Sequence, residues 1–537
     1  MPVLTSHIAP GTQGFAENAA AMQAHMDAIA DIEAKKMAAA EKARPLFDKR
    51  GKLLPKERLA RLLDPGSPFL ELSALAGYRM YDDKDGTLAG GGYIAGIGYV
   101  SGIRALVIAN NSAVKGGTVS PSGLQKCLRL QAIAMENKLP VVSLMESGGA
   151  NLEHVSDMFV EGARSFANQA RLSAAGIPQI TVVHGSSTAG GAYQPGLSDY
   201  VIMVRGKSRV FLAGPPLLKA ATGEIAGEEE LGGATLHAEV TGIAEYLAED
   251  DADAIRMARD VMTALPWDRV DDTAPADFNA PLYDTDDLIG IVPADLKTPY
   301  DVRDVIARLA DGSDFLDFKP DYDSGTVCGH ARIAGHAVGI IGNNGPITPN
   351  GATKAAQFVQ LCDQAGVALL FLHNTTGFMV GREAEAGGIV KHGSKLIQAV
   401  TTARVPRISV HIGGSYGAGN YAMCGRGVDP RFVFSWPNVR TAVMGGAQAG
   451  MVLRIVGEEK ARRMGMEPDS ENLAALEKMT AEQMDTRSTA LYGSARLWDD
   501  GIIDPRDTRR VLITVLDLCA EAEARTLRPN TFGIARF

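Results

Sequence analysis

The segment IPQITVVHGSSTAGGAY (residues 177–193) decides the fold, because the same plan returns as VPRISVHIGGSYGAGNY (residues 405–421). In both segments an apolar run typical of a strand passes through small residues into a glycine-rich turn and the start of a helix. Gly191 of the first copy corresponds to Gly419 of the second, and the interval between them is as long as a domain. This spacing predicts the duplication of a whole domain.

The neighbouring strands repeat at nearly the same interval. ALVIANN reaches Asn110 and AVGIIGNNG contains Asn343, while LPVVSLMESGG ends at Gly149 and VALLFLHNTTG at Gly377. The helical segments LQKCLRLQAIAME and TKAAQFVQLCDQA separate these strands. Alternating strands and helices predict two homologous α/β domains, joined near Pro275 to Pro299, with ligand sites at the carboxyl ends of the strands.

The N-terminal stretch has a different composition. From about Ala16 to Arg61 it is rich in Ala, Glu, Lys and Met, which predicts one long helix followed by a shorter one at Lys56 to Leu63. We therefore expect an N-terminal helical extension (residues 1–65), a first domain (66–285) and a second domain (286–537).

Composition and charge exclude several classes of protein. A net charge of −10 argues against a nucleic-acid binder. The sequence has no apolar stretch long enough for a membrane span and no Lys or Arg before Lys35, so we expect neither a signal nor a transit peptide and a cytoplasmic location. Five widely spaced cysteines predict buried thiols in a reducing compartment.

The glycine turns predict anion binding. In GSSTAGGAY and in ESGGAN, bare backbone N–H groups at a helix start or strand end suit an oxyanion such as a thioester enolate. Such glycines could also serve only close packing, but four turns at matched positions favour function. Neither a P-loop, a GxGxxG dinucleotide motif nor a GxSxG elbow fits. We find no metal motif and no paired acids, so a cofactor is expected to bring the base.

Several motifs together resemble the carboxyltransferase (β) subunits of biotin-dependent acyl-CoA carboxylases. They are ANNSAVKGG (109–117), ESGGA (146–150), STAGGAY (187–193), FLAGPPLLKAATGE (211–224), NTTGFMVG (374–381), GGSYGAGNYAM (413–423) and AVMGGAQAG (442–450). The resemblance implies two tandem crotonase-like domains of the ClpP/crotonase superfamily and a β hexamer within an α6β6 complex, each active site being shared between two subunits. It also implies that biotin is carried by a separate α subunit with biotin carboxylase activity, since a biotinylation site and an ATP loop are missing from this sequence.

The resemblance assigns roles to both sets of turns, and the proton chemistry to biotin rather than to a side chain. It implies that Ala150, Gly190 and Gly191 hold the oxygen of the acyl thioester, and that Ala418 and Gly419 hold the ureido oxygen of biotin. The remaining expected site residues are Gly149, Gly162, Ala189 and Ala192 around the substrate, and Gly377, Phe378 and Gly417 around biotin.

The substrate follows from a departure within the methylcrotonyl-CoA and geranyl-CoA carboxylase branch, which TTGFMVG resembles most. Gly162 stands where methylcrotonyl members carry a bulky aromatic residue, which would open room for a longer acyl tail. The extra five-carbon unit of geranyl-CoA is worth roughly 3 to 4 kcal/mol, or a selectivity of about 10². We expect carboxylation of the γ carbon of geranyl-CoA, with 3-methylcrotonyl-CoA as the alternative if Gly162 is a neutral substitution.

Two functions of other classes stay open. One is a stand-alone crotonase-type hydratase or decarboxylase, which would not need the second GAG turn. The other is a non-catalytic assembly scaffold, which would tolerate side chains at the turns. Among the polar residues, Lys115, Lys219 and Lys391 are candidates for contacts with CoA phosphates, and three histidines are expected to be structural: His237, His373 and His392.

Overall fold

The computed structural model describes residues 1–265, 267 and 278–530. The chain divides into an N-terminal unit (residues 30–273, 495–497 and 518–537) and a C-terminal unit (residues 1–29, 274–494 and 498–517). The domain boundaries expected at residues 65 and 285 stay predictions, and the expected linker begins at Pro275, which lies outside the described residues.

The first half of the chain opens with helices and continues with alternating strands and helices. Its elements are α1 (Gln13–Glu41), α2 (Arg44–Lys49), α3 (Pro55–Leu62), β1 (Leu70–Glu71), β2 (Tyr93–Val100), β3 (Ile103–Asn110), α4 (Pro121–Glu136), β4 (Val141–Ser147), α5 (Val155–Ala174), β5 (Gln179–Thr188), α6 (Tyr193–Leu197), β6 (Tyr200–Val204), β7 (Arg209–Phe211), α7 (Pro215–Thr222), α8 (Glu228–Gly232), α9 (Ala234–Leu236), β8 (Tyr246–Ala248) and α10 (Asp251–Ala264).

The sheet of the N-terminal unit has the order β1-β2-β3-β4-β5-β6-β8, and β7 pairs with the end of β5. The strands from β3 onward are parallel, while β1, β2 and β3 pair antiparallel. Val107, Val142, Ile180 and Ile202 on four adjacent strands are completely buried. Such burial explains the continuous apolar runs in the sequence, since a parallel sheet is covered on both faces.

The second half of the chain repeats this order. Its elements are α11 (Leu288–Ile291), α12 (Val302–Leu309), β9 (Leu316–Asp317), β10 (Thr326–Ile333), β11 (His336–Asn343), α13 (Pro349–Ala365), β12 (Ala368–Thr375), α14 (Arg382–Ala386), α15 (Ile389–Thr402), β13 (Arg407–Tyr416), α16 (Gly417–Ala422), β14 (Phe432–Ser435), β15 (Arg440–Ala442), α17 (Gly446–Arg463), α18 (Ser470–Thr486), α19 (Ala490–Ala495) and α20 (Thr508–Ala524).

The sheet of the C-terminal unit has the order β14-β13-β12-β11-β10-β9, with β15 paired to β13. Again the first three strands pair antiparallel and the rest are parallel. Phe358 and Cys362 of α13 pack with Phe371 of β12 and Val400 of α15 in a buried cluster. Both units therefore have the α/β architecture that the repeats predicted, in agreement with the crotonase-like domains that the resemblance implied.

The duplication extends to individual side chains. Ser120 caps α4 by accepting a hydrogen bond from the Gly123 amide, and Thr348 caps α13 in the same way at the matching position of the second unit. Lys126 and Lys354, which also match, are both fully buried and donate to backbone carbonyls of their own units. Burial lowers the pKa of Lys126 to about 8.

Two details differ from the sequence expectations. The long N-terminal helix ends at Glu41, and α2 starts at Arg44 with Pro45 in its first turn. A proline there starts a new helix, because its ring would clash within a continuing one. The helix expected near Gly190 begins as a short 3-10 turn over Ala189–Ala192. Across the described ranges, no helix is long and apolar enough to cross a membrane.

Candidate active site

The turn after β4 holds Gly149 and Ala150. Gly149 has a φ of +85°, and its amide donates to Ser147 Oγ at 3.1 Å. The Val119 amide donates to the Gly149 carbonyl (2.9 Å), and the Asn151 amide donates to the Val119 carbonyl (3.0 Å). These two hydrogen bonds fix the turn on either side of Ala150, which is exposed. The Ala150 amide therefore lies between two anchored peptides.

The turn after β5 holds Ala189, Gly190, Gly191 and Ala192. Ala189 has a φ of +53°, and Ser187 Oγ donates to the Gly191 carbonyl at 2.9 Å. Amides at the start of a helical turn have no acceptor within it. Ala189 and Gly190 are exposed, whereas Ala192 is buried and anchors the turn.

These two turns, residues 148–151 and 189–192, form one N-terminal turn pair. Ser147 pairs with Ser187 across β4 and β5. A Cβ on Gly191 would lie 3.7 Å from Ser147 Oγ and 3.3 Å from Ser187 Oγ. The structure thus brings the predicted residues Gly149, Ala150, Gly190 and Gly191 to one edge of the sheet.

The C-terminal turn pair, residues 376–379 and 417–420, repeats this construction. The Ile347 amide donates to the Gly377 carbonyl (2.9 Å), and the Met379 amide donates to the Ile347 carbonyl (2.8 Å). The Gly377 amide donates to Thr375 Oγ1 at 3.2 Å. Phe378 takes the place of Ala150, and its ring would contact a Cβ on Gly393 of α15 at 2.9 Å.

The second turn of this pair needs its glycines. Gly417 has a φ of +55°, as Ala189 does at the matching position. A Cβ on Gly419 would lie 2.7 Å from Gly377 Cα, so these two backbones approach as closely as glycine allows. Ala418 between the two glycines is exposed. The structure brings Gly377, Phe378 and the Gly417 turn together, as the sequence predicted for adjacent strand ends.

A hydrogen-bond chain lies beneath the C-terminal turn pair. Asn420 Nδ2 donates to Ser415 Oγ at 2.8 Å, and His373 Nδ1 is 2.9 Å from the same hydroxyl. Burial and the neighbouring His411 hold the pKa of His373 well below its usual value. His373 is therefore a neutral, structural histidine.

A buried network of charged side chains lies behind the N-terminal turn pair and was not predicted from the sequence. Glu146, the residue before Ser147, binds Lys52 at 2.7 Å and Arg58 at 2.8 Å. Arg58 also binds Asp251 (3.0 Å), which binds the buried His184 (3.0 Å). Burial opposes ionisation of Glu146, but the two cations outweigh it, so its pKa lies below the usual value. The available signal was a carboxylate at the end of the apolar strand VVSLMES.

A second polar group lies beside Ala150. Asp82 contacts Lys115 Nζ at 2.9 Å, Asn151 Nδ2 at 2.8 Å and His154 Nε2 at 3.2 Å. Hydrogen bonds with Lys115 and His154 lower the pKa of Asp82 to about 2. Ligand atoms of Asp82, Glu153 and His154 lie within 4.8 Å of one another. Since lysine and amide groups already bind the Asp82 carboxylate, we interpret the group as support for the 148–151 turn.

The other polar candidates are surface or structural groups. Lys219 and Lys391 are exposed, on α7 and α15. His237 lies 2.7 Å from Thr241 Oγ1 and 2.7 Å from the Val210 carbonyl, and His392 lies 2.9 Å from Thr353 Oγ1.

Gly162 lies on α5, one turn before Phe166. Residues four apart share a helix face, and the Phe166 ring would be 3.8 Å from a Cβ on Gly190. Gly162 therefore lies on the same face of α5 as Phe166, the residue that is close to the 189–192 turn. A Cβ on Gly162 would meet nothing within 4 Å, and the nearby Phe159 side chain is 79% exposed.

Comparisons with known proteins agree with this fold. The model of the carboxyl transferase domain family matches residues 48–533. The chain is 48% identical to the biotin-dependent 3-methylcrotonyl-coenzyme A carboxylase β1 subunit of Mycobacterium tuberculosis, over 93% of this chain and 95% of that protein. It is also 48% identical to a probable biotin-dependent acyl-coenzyme A carboxylase β2 subunit of the same organism, over 99% and 100%. The crystal structure of the P. aeruginosa geranyl-CoA carboxylase β subunit is 63% identical over the whole of both chains, with a TM-score of 0.94.

Proposed function

Since the chain belongs to the carboxyl transferase family, as a β subunit of the biotin-dependent acyl-CoA carboxylases, we propose that it carboxylates the γ carbon of geranyl-CoA. The observation that carries this choice is the free space at Gly162 of α5, where a Cβ would meet nothing within 4 Å. The 63% identity with a geranyl-CoA carboxylase β subunit supports the same substrate.

In this proposal the N-terminal turn pair binds the acyl thioester. The amides of Ala150, Gly190 and Gly191 donate to the thioester oxygen as negative charge develops on it, and removing one such donor costs about 10² to 10³ in rate. Because Ser147 and Ser187 fix both turns, the donors are oriented before the reaction begins. Gly149, Ala189 and Ala192 shape the surrounding pocket.

The C-terminal turn pair is proposed to bind biotin. Close contact between Gly419 and Gly377 leaves a cradle without side chains, in which the amides of Ala418 and Gly419 would hold the ureido oxygen. Phe378 and Gly417 would border the same ring. When bound, carboxybiotin would supply the carboxyl group, and the ring nitrogen freed by its release would accept the substrate proton. The chain then orients both reactants, which agrees with the hydrogen-bonded state of His237, His373 and His392.

The proposal includes partners and a location. Biotin would be carried by an α subunit with biotin carboxylase activity, as the relatives' description as β subunits suggests. A β hexamer within an α6β6 complex and a cytoplasmic location complete the proposal. In the described part of the chain the five cysteines form no disulfide, which suits a reducing compartment.

The test is ATP- and bicarbonate-dependent carboxylation by this chain with its biotin-bearing partner, comparing geranyl-CoA with 3-methylcrotonyl-CoA. We expect a kcat/KM ratio of about 10² in favour of geranyl-CoA. A preference for 3-methylcrotonyl-CoA, the substrate named for the 48% identical relative, would keep the enzyme class and overturn the substrate.

A non-catalytic scaffold is tested by Gly191→Val. Its Cβ would lie 3.3 Å from Ser187 Oγ, and the two methyl groups of valine would crowd the hydroxyl that holds the Gly191 carbonyl. Turnover unchanged from wild type would support the scaffold, whereas we expect a loss of at least about 10²-fold.

A further inference from the structure

The carboxylate of Glu146 is the point where the 148–151 turn is fastened to the rest of the N-terminal unit. Its partners are Lys52 Nζ (2.7 Å), Arg58 Nη1 (2.8 Å) and Ser112 Oγ (2.8 Å). Arg58 is 1% exposed, and Lys52 and Glu146 are 10% and 12% exposed. The end of strand β4 is therefore fixed by the hydrogen bonds and ion pairs of the nearly buried Glu146 carboxylate.

The C-terminal unit has a neutral amide side chain at the position that corresponds to the Glu146 carboxylate. In the register that aligns Gly191 with Gly419, Asn374 is the counterpart of Glu146, and Gly413 is the counterpart of Gly185. A Cβ on Gly185 would overlap the Glu146 carboxylate, and a Cβ on Gly413 would overlap the Asn374 amide. In both units a polar side chain at the strand end fills the space that a glycine leaves on the next strand. Only the N-terminal unit puts a charge there.

The charges of this network cancel. Lys52 and Arg58 contribute two positive charges, and Glu146 and Asp251 contribute two negative ones. Burial lowers the pKa of His184 to about 4, so this histidine is neutral near pH 7. Without Lys52, this network would carry a net negative charge, and it lies behind the turn that is proposed to bind an oxyanion.

We propose that Glu146 and Lys52 are a positioning pair for the acyl-CoA reaction. Glu146 fixes the strand end from which Gly149 and Ala150 project, and Lys52 cancels its charge so that the enolate oxygen can form at those amides. The pair rests on the proposed function of the N-terminal turn pair.

The test is a double-mutant cycle in the reconstituted holoenzyme, with Lys52→Met, Glu146→Gln and the double variant. At an effective dielectric constant of about 20, a unit charge about 10 Å away changes the electrostatic energy of a developing charge by about 1.5 kcal/mol. This energy corresponds to a change in rate of about tenfold. We expect K52M to lower kcat by about tenfold with little change in KM, since the enolate exists only in the transition state. E146Q/K52M, which is neutral again, should recover most of this loss.

Controls separate charge from folding. Lys52→Arg keeps the charge and should retain kcat within about threefold of wild type. Lys35→Met and Glu249→Gln remove exposed charges of the same unit and should leave kcat unchanged. If K52M does not fold, Lys52→Gln replaces it in the same cycle.

Two results would contradict the proposal that Lys52 and Glu146 act as a pair. One is a K52M variant with wild-type kcat, and the other is a double variant whose fold-loss in kcat equals the product of the two single fold-losses. Wild-type enzyme that carboxylates no acyl-CoA would instead count against the proposed function, so the two failures are distinguishable.

Discussion

Gly419→Ala is the substitution with the best-defined consequence. The new Cβ would lie 2.7 Å from Gly377 Cα and 3.2 Å from Thr375 Cγ2. Carbon atoms in van der Waals contact are about 3.5 to 4.0 Å apart, so one of the two turns must move by roughly 0.8 Å or more. The neighbour at Gly377 is backbone, which cannot rotate away as a side chain would.

This movement misaligns the Ala418 and Gly419 amides. Loss of one oxyanion donor costs about 2.7 to 4 kcal/mol of transition-state stabilisation, or 10² to 10³ in kcat. Overpacking adds a loss of about 1 to 3 kcal/mol in the free energy of unfolding. Because the acyl-CoA is proposed to bind the other turn pair, its KM should stay within about twofold of wild type.

The assay is steady-state carboxylation with the biotin-bearing partner, together with thermal unfolding of the isolated chain. Gly427→Ala is the matched control, because a Cβ there meets nothing within 4 Å. A G419A variant with kcat within about threefold of wild type would contradict the proposed role of the Gly417 to Gly419 turn, as would a rise in acyl-CoA KM at unchanged kcat.

Three further predictions concern the N-terminal unit. Gly162→Phe should fold normally, since a Cβ there meets nothing within 4 Å, and should lower kcat/KM for geranyl-CoA by about 10² relative to 3-methylcrotonyl-CoA; Gly162→Ala should change the ratio little. Ser147→Ala removes the acceptor of the Gly149 amide and should lower the free energy of unfolding by about 1 to 3 kcal/mol in urea titrations, whereas the exposed Ser394→Ala should not. Burial lowers the pKa of His184 to about 4, so the unfolded chain binds more protons between about pH 4 and 6.5, and stability should fall as the pH drops through this window. The denaturation midpoint of His184→Gln should vary less with pH there, and an equally steep decline would contradict the assignment.

The fold could be predicted from the sequence because the two repeated halves can be aligned with each other, strand by strand. Gly191 and Gly419 occupy matching turns, and the strands before them are parallel and buried, as their apolar runs required. The break of the N-terminal helix before Arg44 was missed because its apolar spacing continues across Pro45, although a proline is well tolerated in the first turn of a new helix.

The sequence also located the turns, but not what holds them. Glycines at strand ends can be read directly, since small residues there have few other uses. The partners of Glu146, in contrast, come from segments 94, 88 and 34 residues earlier in the chain, and pairing over such distances leaves no periodic signal. The same holds for Asp82, whose contacts with Lys115 and His154 follow only from the folded loop.

The most direct test of the two-turn account is an experimental structure of this chain with geranyl-CoA. We predict that the thioester oxygen lies within hydrogen-bond distance of the Ala150 and Gly191 amides. A thioester bound at the Gly417 to Gly419 turn instead, or one with no contact to either turn pair, would contradict it.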